Sequence, residues 1–181
     1  MEFWLPYLLI AVILVGEACC RGSQRPDASR RDSGSIWVFI LVLALAYEAA
    51  FILSRRPPHL GVWAAWLGAA LTLSGMALRV WAVKVLGVYF TRSVQVSSAQ
   101  KVVEAGPYRL IRHPSYTGGI AAQLGVGLAL RSVLSLSLLA LGALLAYGYR
   151  IHVEEAALGE ALGQPYRDYM RRTWRLVPFL F

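Results

Sequence analysis

Two clusters of polar residues flank the last long apolar stretch of the chain. The first cluster, residues 106–118, contains two arginines, a histidine, two tyrosines and two prolines. The second, residues 150–155, contains an arginine, a histidine and two adjacent glutamates. If the apolar stretch between them folds as two antiparallel helices, the start of one helix lies beside the end of the other. Cations, aromatic rings and carboxylates that converge in this way indicate a site for a polar ligand.

The first cluster has the features of a helix N-terminus. Pro114 suits the first turn of a helix and disfavours the helical conformation for His113 before it. Ser115 and the next backbone N–H groups would then lie at the start of the helix, where a ligand carboxylate is bound favourably. His113, Pro114 and Ser115 are therefore candidate binding residues.

The remaining residues suit the other parts of a zwitterionic, aromatic ligand. Tyr108 and Tyr116 offer ring faces and hydroxyl groups to a purine or a sulfonium. Glu154 can accept a hydrogen bond from an amine or a ribose hydroxyl. Arg150 lies four residues before Glu154, so the two share a helix face. The alternative for this pair is a salt bridge at a helix end that reaches the lipid headgroups and binds no ligand.

The composition predicts that the elements holding these clusters are membrane helices. Hydrophobic residues make up 57% of the 181 residues and charged residues only 15%. A helix needs roughly 20 apolar residues to cross a bilayer core. The apolar residues form five blocks near that length: residues 3–20, 35–53, 61–83, 117–131 and 133–150. We expect an all-α integral membrane protein with about five transmembrane helices.

Three further features concern the third apolar block and the C-terminal part of the chain. Gly61, Gly68 and Gly75 recur every seven residues in the third block, and such a stripe lets another helix approach closely. Residues 151–163 continue the fifth helix as an amphipathic extension that ends at Gly163. Residues 166–175 form a basic, aromatic segment that suits the headgroup region.

The distribution of basic residues predicts the orientation. With five crossings, the 21–34 loop, the 84–116 loop and the C-terminal tail lie on one side and carry four, five and five Lys and Arg residues. The positive-inside rule places that side in the cytoplasm and the N-terminus outside. We expect a bacterial inner-membrane protein whose cofactor pocket, formed by the 84–116 loop, the last helical hairpin and the C-terminal helices, faces the cytoplasm. Because the basic residues lie between apolar blocks, nucleic acid is not expected as a partner.

The spaced motifs of the C-terminal half resemble those of the isoprenylcysteine carboxyl methyltransferases. They are V-V-x-x-G-P-Y at residues 102–108, R-H-P-S-Y-x-G at 112–118, R-x-x-x-E-E at 150–155 and G-x-x-Y-x-x-Y at 163–169. The resemblance covers roughly residues 87–179, and the number of apolar blocks is similar to that of the short, five-helix prokaryotic members. It implies an N-terminal three-helix membrane part, residues 1–83, and a methyltransferase core, residues 84–181, within one structural unit.

The resemblance also implies a cofactor, a reaction and site residues. The cofactor is S-adenosylmethionine, and the methyl acceptor is a carboxylate or other oxygen of a lipophilic substrate such as a prenylcysteine. The family pattern assigns Arg150 to the substrate carboxylate and Glu154 to both catalysis and cofactor binding. The other implied cofactor contacts are Gln100, Lys101, Val102, Val103, Tyr108, His113, Pro114, Ser115 and Tyr116. Gln100 departs from the family pattern, in which histidine is frequent at this position. No metal is expected.

Three other functions fit parts of the pattern. A phospholipid N-methyltransferase would use the same donor, but Arg150 would repel an ammonium acceptor. A sterol-type reductase using reduced nicotinamide dinucleotide phosphate (NADPH) carries a similar Arg-x-Pro-x-Tyr element, usually with Asn before the Tyr, where this chain has Ser115. A non-enzymatic membrane scaffold would bind no ligand.

Overall fold

The computed structural model of the chain describes residues 4–20, 34–91 and 101–179, together with the backbone of residues 29–30 and 95–96. Six α-helices make up most of it: α1 (Leu5–Cys19), α2 (Ser35–Leu53), α3 (Trp63–Leu86), α4 (Pro114–Ala129), α5 (Val133–Leu162) and α6 (Gln164–Arg172). Two short 3₁₀ helices, Gly87–Tyr89 and Gly106–Arg109, follow α3 and precede α4. Two-residue strands β1 (Ser29–Arg30) and β2 (Gln95–Val96) pair antiparallel. The predicted all-α architecture is confirmed apart from this strand pair.

Three of these helices are long and apolar enough to cross a membrane. They are α2, α3 with the 3₁₀ turn after it, and α5. With 15 and 16 residues, α1 and α4 are shorter than the roughly 20 residues of a full crossing. Helix α4 is short because Pro114 begins it and the chain reverses at Arg131, whose φ is 54°. The count of five crossings stays a prediction.

The turn after α4 makes α4 and α5 an antiparallel hairpin, as predicted. The hydroxyl of Ser132 accepts a hydrogen bond from the backbone N–H of Ser135 and so caps the start of α5. Helix α5 then runs unbroken for 30 residues, about 45 Å at 1.5 Å per residue. It ends at Gly163, which has a φ of 62° and from which α6 starts in a new direction. The predicted helix end at Gly163 is therefore confirmed.

Helices α3 and α4 pack so closely that their glycines meet the opposite backbone. A Cβ atom on Gly75 would lie 2.6 Å from the carbonyl oxygen of Gly118, and one on Gly118 would lie 2.5 Å from the carbonyl oxygen of Gly75. Gly68 meets the carbonyl oxygen of Gly125 in the same way. The predicted small-residue stripe is confirmed for Gly68 and Gly75. It was wrong for Gly61, which precedes α3 and faces the ring of Trp63.

We expect Gly75→Ala to lower the midpoint of thermal denaturation in detergent by several degrees. The new methyl group would force α3 and α4 apart, and overpacking of this kind costs about 1–3 kcal/mol. Gly148→Ala is the matched control, because a Cβ atom on that helical glycine would meet no atom of the described residues within 4 Å. An equal effect of both substitutions would contradict the close-packing role of Gly75.

Candidate functional site

A pocket opens where the N-terminal end of α4, the second half of α5 and α6 meet the segments that follow α3. Its lining residues are Leu86, Tyr89, Phe90, Thr91, Lys101, Val102, Val103, Tyr108, Arg112, His113, Ser115, Tyr116, Arg150, Glu154, Leu158, Leu162, Tyr166 and Tyr169. Its volume is about 90 Å³, smaller than the roughly 300–1,000 Å³ of pockets that enclose a drug-sized ligand. The enclosed part of the pocket is therefore smaller than a ligand of nucleoside size.

Most of the residues predicted for the site lie in this pocket. The lining includes nine of them: Lys101, Val102, Val103, Tyr108, His113, Ser115, Tyr116, Arg150 and Glu154. Pro114 does not, because it is fully buried in the first turn of α4 behind the lining. Pro114 starts the helix, and its predicted cofactor contact stays a prediction. Gln100 lies outside the described residues.

The two clusters meet through a hydrogen bond from Tyr116 to Glu154. The hydroxyl of Tyr116 donates to Oε2 of Glu154 at 2.5 Å, although the two residues are 38 positions apart. The ring of His113 stacks on that of Tyr116, with centroids 5.4 Å apart and planes within 3° of parallel. The predicted meeting of the loop and the far end of the hairpin is confirmed.

Arg150 is a buried cation beside this pair. Its residue surface is only 4% exposed. Its Nη1 donates to the hydroxyl of Ser35 at 2.7 Å, and its Nε donates to the hydroxyl of Tyr116 at 3.4 Å. A guanidinium is suited to binding a carboxylate through two parallel hydrogen bonds. Arg150 is therefore the pocket group best suited to an anionic ligand, and Glu154 the one best suited to a cationic or hydroxyl-bearing group.

The adjacent carboxylate, Glu155, has a different role from Glu154. Consecutive residues of a helix point about 100° apart. Glu155 is not among the lining residues and contacts three basic side chains, of which Arg112 and His113 line the pocket from the other side. Arg112 Nε lies 3.0 Å from its Oε1, His113 Nε2 lies 3.2 Å from the same oxygen, and Arg175 Nη2 lies 3.0 Å from Oε2. Glu155 thus ties the loop, α5 and the C-terminal tail together, a role that the sequence did not reveal because its partners are distant along the chain.

The C-terminal tail forms part of the site. The backbone N–H of Arg112 donates to the carbonyl of Trp174 at 2.7 Å, and that of Trp174 donates to the carbonyl of Leu110 at 2.9 Å. In α6, Tyr166 and Tyr169 are 4% and 3% exposed and line the pocket. The prediction that this segment lies at the headgroup level stays a prediction, and these two rings face the pocket. The sequence signal for their shared position in the pocket was their spacing of three residues, which puts both tyrosines on one helix face.

Burial sets the protonation of the tyrosines that lie outside the membrane-spanning helices. It raises the pKa of Tyr108, and the nearby charge of Glu154 raises that pKa further. Burial raises the pKa of Tyr166 and Tyr169 as well. These phenols remain neutral hydrogen-bond donors at any physiological pH. The hydroxyl of Tyr169, for example, donates to the carbonyl of Tyr108 at 2.8 Å.

We expect Glu155→Gln to loosen the tail and lower the thermal denaturation midpoint. Removing one partner of a buried charge cluster costs about 3–5 kcal/mol, and Glu155 is only 9% exposed. Faster amide hydrogen exchange over residues 173–179 would report the loosening. Asp168→Asn is the control, because Asp168 pairs with Arg171 at 3.7 Å on the surface and such pairs contribute about 0–1 kcal/mol. A Glu155 variant that behaves like this control would show that the cluster does not hold the tail.

Comparison with known proteins identifies the family. Residues 67–160 match the isoprenylcysteine carboxyl methyltransferase (ICMT) family. The chain is 31% identical over 120 residues to the protein-S-isoprenylcysteine O-methyltransferase of Tribolium castaneum, an alignment that covers 65% of this chain and 43% of that protein. It is 27% identical over 171 residues to the uncharacterized protein YpbQ of Bacillus subtilis (strain 168). That alignment covers 87% of this chain and 97% of YpbQ.

A solved structure has a similar fold. The eukaryotic intramembrane Ras methyltransferase ICMT matches with a TM-score of 0.66 and 28% sequence identity, over 78% of this chain and 52% of that one. This chain thus spans about half of the length of the eukaryotic proteins that it resembles. The match and the apolar helices α2, α3 and α5 together identify a multi-pass integral membrane protein. The family match covers more than half of the 181 residues and includes most of the pocket lining, so the chain belongs to the isoprenylcysteine carboxyl methyltransferase family.

Proposed function

We propose that this protein is a membrane O-methyltransferase that uses S-adenosylmethionine and methylates the carboxylate of a lipophilic substrate such as a prenylcysteine. The observation that carries the proposal is the meeting of Tyr116, Glu154 and Arg150 at the pocket, which provides a carboxylate and a guanidinium on one helix face. Several relatives are named protein-S-isoprenylcysteine O-methyltransferases, and these names support the same reaction.

The chemistry of the lining suits S-adenosylmethionine. The cofactor has a purine, a ribose diol, a sulfonium and an amino acid end. Tyrosine and phenylalanine rings around the pocket suit the purine and the sulfonium, since cations bind to aromatic faces. Glu154 suits a ribose hydroxyl or the ammonium group, and Ser115, at the N-terminal turn of α4, suits the carboxylate. Lys101, Val102 and Val103 add a wall on the loop side.

Arg150 suits the carboxylate of the substrate. It is buried beside Tyr116 and donates to Ser35, the first residue of α2. A substrate carboxylate held there would lie next to α2, whose surface is mostly exposed and apolar. The hydrocarbon tail of the substrate can therefore stay in the lipid while its polar end enters the pocket.

The reaction then depends mainly on positioning. When bound, S-adenosylmethionine supplies an electrophilic methyl group. A carboxylate is already ionised at neutral pH and needs no general base, so Arg150 has only to hold and orient it. Alignment of two reactants provides up to about 7–11 kcal/mol. Leu86, Leu158 and Leu162 would exclude water, which strengthens the interactions of Arg150 and Glu154 with charged groups.

We further propose that the pocket faces the cytoplasm, with the N-terminus outside, in a bacterial inner membrane. The excess of Lys and Arg in the 84–116 loop and the tail supports this orientation. We also propose that residues 1–83 act as the membrane support of a catalytic core formed by residues 84–181. Close packing between α3 and α4 and between α2 and α5 supports a single structural unit.

Calorimetry of the detergent-solubilised protein tests the cofactor. We expect S-adenosylhomocysteine to bind with a dissociation constant in the micromolar range, about −8 kcal/mol, and NADPH not to bind. Binding of NADPH alone would instead identify a reductase, and binding of neither would contradict the proposed function.

Transfer of a labelled methyl group tests the acceptor. We expect an N-acetylated prenylcysteine to be methylated and its carboxamide analogue, which lacks the acceptor oxygen anion, to remain unmodified. Methylation of phosphatidylethanolamine in the same assay would identify an N-methyltransferase and overturn the proposed carboxylate acceptor.

A further inference from the structure

An ion pair between a buried arginine and a partly exposed glutamate lies behind the pocket, between α1 and α3. Arg79 of α3 is only 8% exposed. Its Nη2 donates to Oε2 of Glu17 in α1 at 3.0 Å, and its Nε donates to Oε1 of the same carboxylate. Two parallel hydrogen bonds between a guanidinium and a carboxylate fix the orientation of both groups. Glu17 therefore holds the guanidinium plane of Arg79.

The remaining edge of that guanidinium contacts the wall of the pocket. Nη1 of Arg79 donates to both the carbonyl oxygen and the hydroxyl oxygen of Ser115, each at 3.0 Å. Ser115 lines the pocket in the first turn of α4, whereas Arg79 and Glu17 do not. The pair thus reaches the candidate site through Ser115.

The contact also sets what Ser115 can offer a ligand. A guanidinium has donors and no acceptor, so the Ser115 hydroxyl oxygen must accept from Arg79. Its own hydrogen then points away from Arg79 and is left to an acceptor in the pocket. Arg79 therefore makes Ser115 a hydrogen-bond donor toward the ligand.

The close approach of α3 and α4 makes the contact possible. A Cβ atom on Gly118 would lie 2.7 Å from the backbone nitrogen of Arg79, so no larger residue at position 118 would let Arg79 come this near. Seven residues earlier on α3, Thr72 donates to the carbonyl of Ala122 on α4 at 3.1 Å. Thr72 and Arg79 thus make equivalent contacts across one interface, but only Arg79 reaches a residue of the pocket.

We propose that Glu17 and Arg79 are positioning residues of the site, which hold Ser115 so that its hydroxyl donates to the bound cofactor. The inference rests on the proposed function, because it assumes that the cofactor binds beside Ser115. It makes α1 part of the support of the site, although α1 lies outside residues 67–160, the region that matches the family.

Calorimetric titration with S-adenosylhomocysteine tests the inference, with Thr72→Val as the matched control. We expect Arg79→Met to weaken binding about tenfold or more, since it removes charged hydrogen bonds to Ser115. Thr72→Val, which loses a bond across the same interface, should change the affinity less than about twofold even if it lowers the denaturation midpoint. Equal losses in both variants, or no loss in Arg79→Met, would overturn the inference.

A double-mutant cycle separates positioning from general support of the fold. If Arg79 acts through Ser115, Arg79→Lys should weaken binding several-fold alone and much less in a Ser115→Ala background, a non-additivity typical of residues in contact. Additive effects would contradict the proposal.

Glu17→Gln is a substitute variant if Arg79→Met does not fold, because it keeps the shape of the pair. Unchanged affinity for S-adenosylhomocysteine in Glu17→Gln would then count against the inference.

One measurement does not depend on the identity of the ligand. Hydrogen exchange of the amides of residues 113–118 should accelerate in Arg79→Met but not in Thr72→Val. If the wild-type protein does not bind S-adenosylhomocysteine, the proposed function fails whatever the exchange shows. If it binds and exchange is the same in both variants, the positioning role alone fails.

Discussion

Arg150→Met is expected to lower kcat/KM for a prenylcysteine substrate by about 10²–10³-fold, as removal of one preorganised donor from an active site does. The affinity for S-adenosylhomocysteine should change little, because Arg150 is assigned to the substrate and Glu154 to the cofactor. Methionine fills most of the volume of the arginine stem, so packing around the buried side chain is largely preserved. Labelled-methyl transfer and calorimetry on the same preparation measure the two effects.

The geometry explains why a lysine should not restore this activity. Arg150 donates from separate nitrogens to Ser35 and Tyr116, and a lysine ammonium, as a compact point charge, does not reproduce that fork. Arg167→Met is the control, since Arg167 is an exposed cation of α6 outside the pocket lining. If Arg150→Met lost cofactor affinity and activity in equal measure, Arg150 would belong to the cofactor site and our assignment would be wrong.

The parts of the site that depend on local signals could be predicted from the sequence. The short junction between α4 and α5 leaves an antiparallel hairpin as the simplest fold, which predicts that the start of α4 lies near the second half of α5 but does not by itself pair Tyr116 with Glu154. Pro114 and Gly163 mark a helix start and a helix end through their backbone preferences. The Gly68 and Gly75 stripe predicted a close helix neighbour, and α4 is that neighbour.

The parts that depend on distant partners could not be predicted. Glu154 and Glu155 are identical in type and adjacent, and only the folded positions of Arg112, His113 and Arg175 show that Glu155 is the one held by basic side chains. Arg79 and Glu17 lie in separate apolar blocks, 62 residues apart, and no local pattern indicates that they pair. A charge in a membrane helix is costly enough to indicate a partner or a function, but this cost does not identify the partner.

Glu154→Gln is expected to weaken S-adenosylhomocysteine binding by about 10–100-fold. A hydrogen bond to a charged group contributes about 1.5–3 kcal/mol, and the substitution removes the charge while preserving the size of the side chain. Calorimetric titration measures the change directly. Glu160→Gln is the control, because Glu160 is exposed, lies six residues further along α5 and does not line the pocket.

Tyr116→Phe shows whether the charge of Glu154 or its orientation matters more. The Tyr116 hydroxyl donates to Glu154 at 2.5 Å, so its removal frees the carboxylate to change rotamer but leaves the charge. If electrostatic attraction to the ligand dominates, Tyr116→Phe should weaken binding much less than Glu154→Gln. If orientation dominates, the two losses should be similar and the double variant should be little worse than either, because both substitutions break the same hydrogen bond. Unchanged affinity in Glu154→Gln would remove Glu154 from the cofactor site and leave the other polar residues of the lining, among them Arg150 and Ser115, as starting points for identifying the ligand.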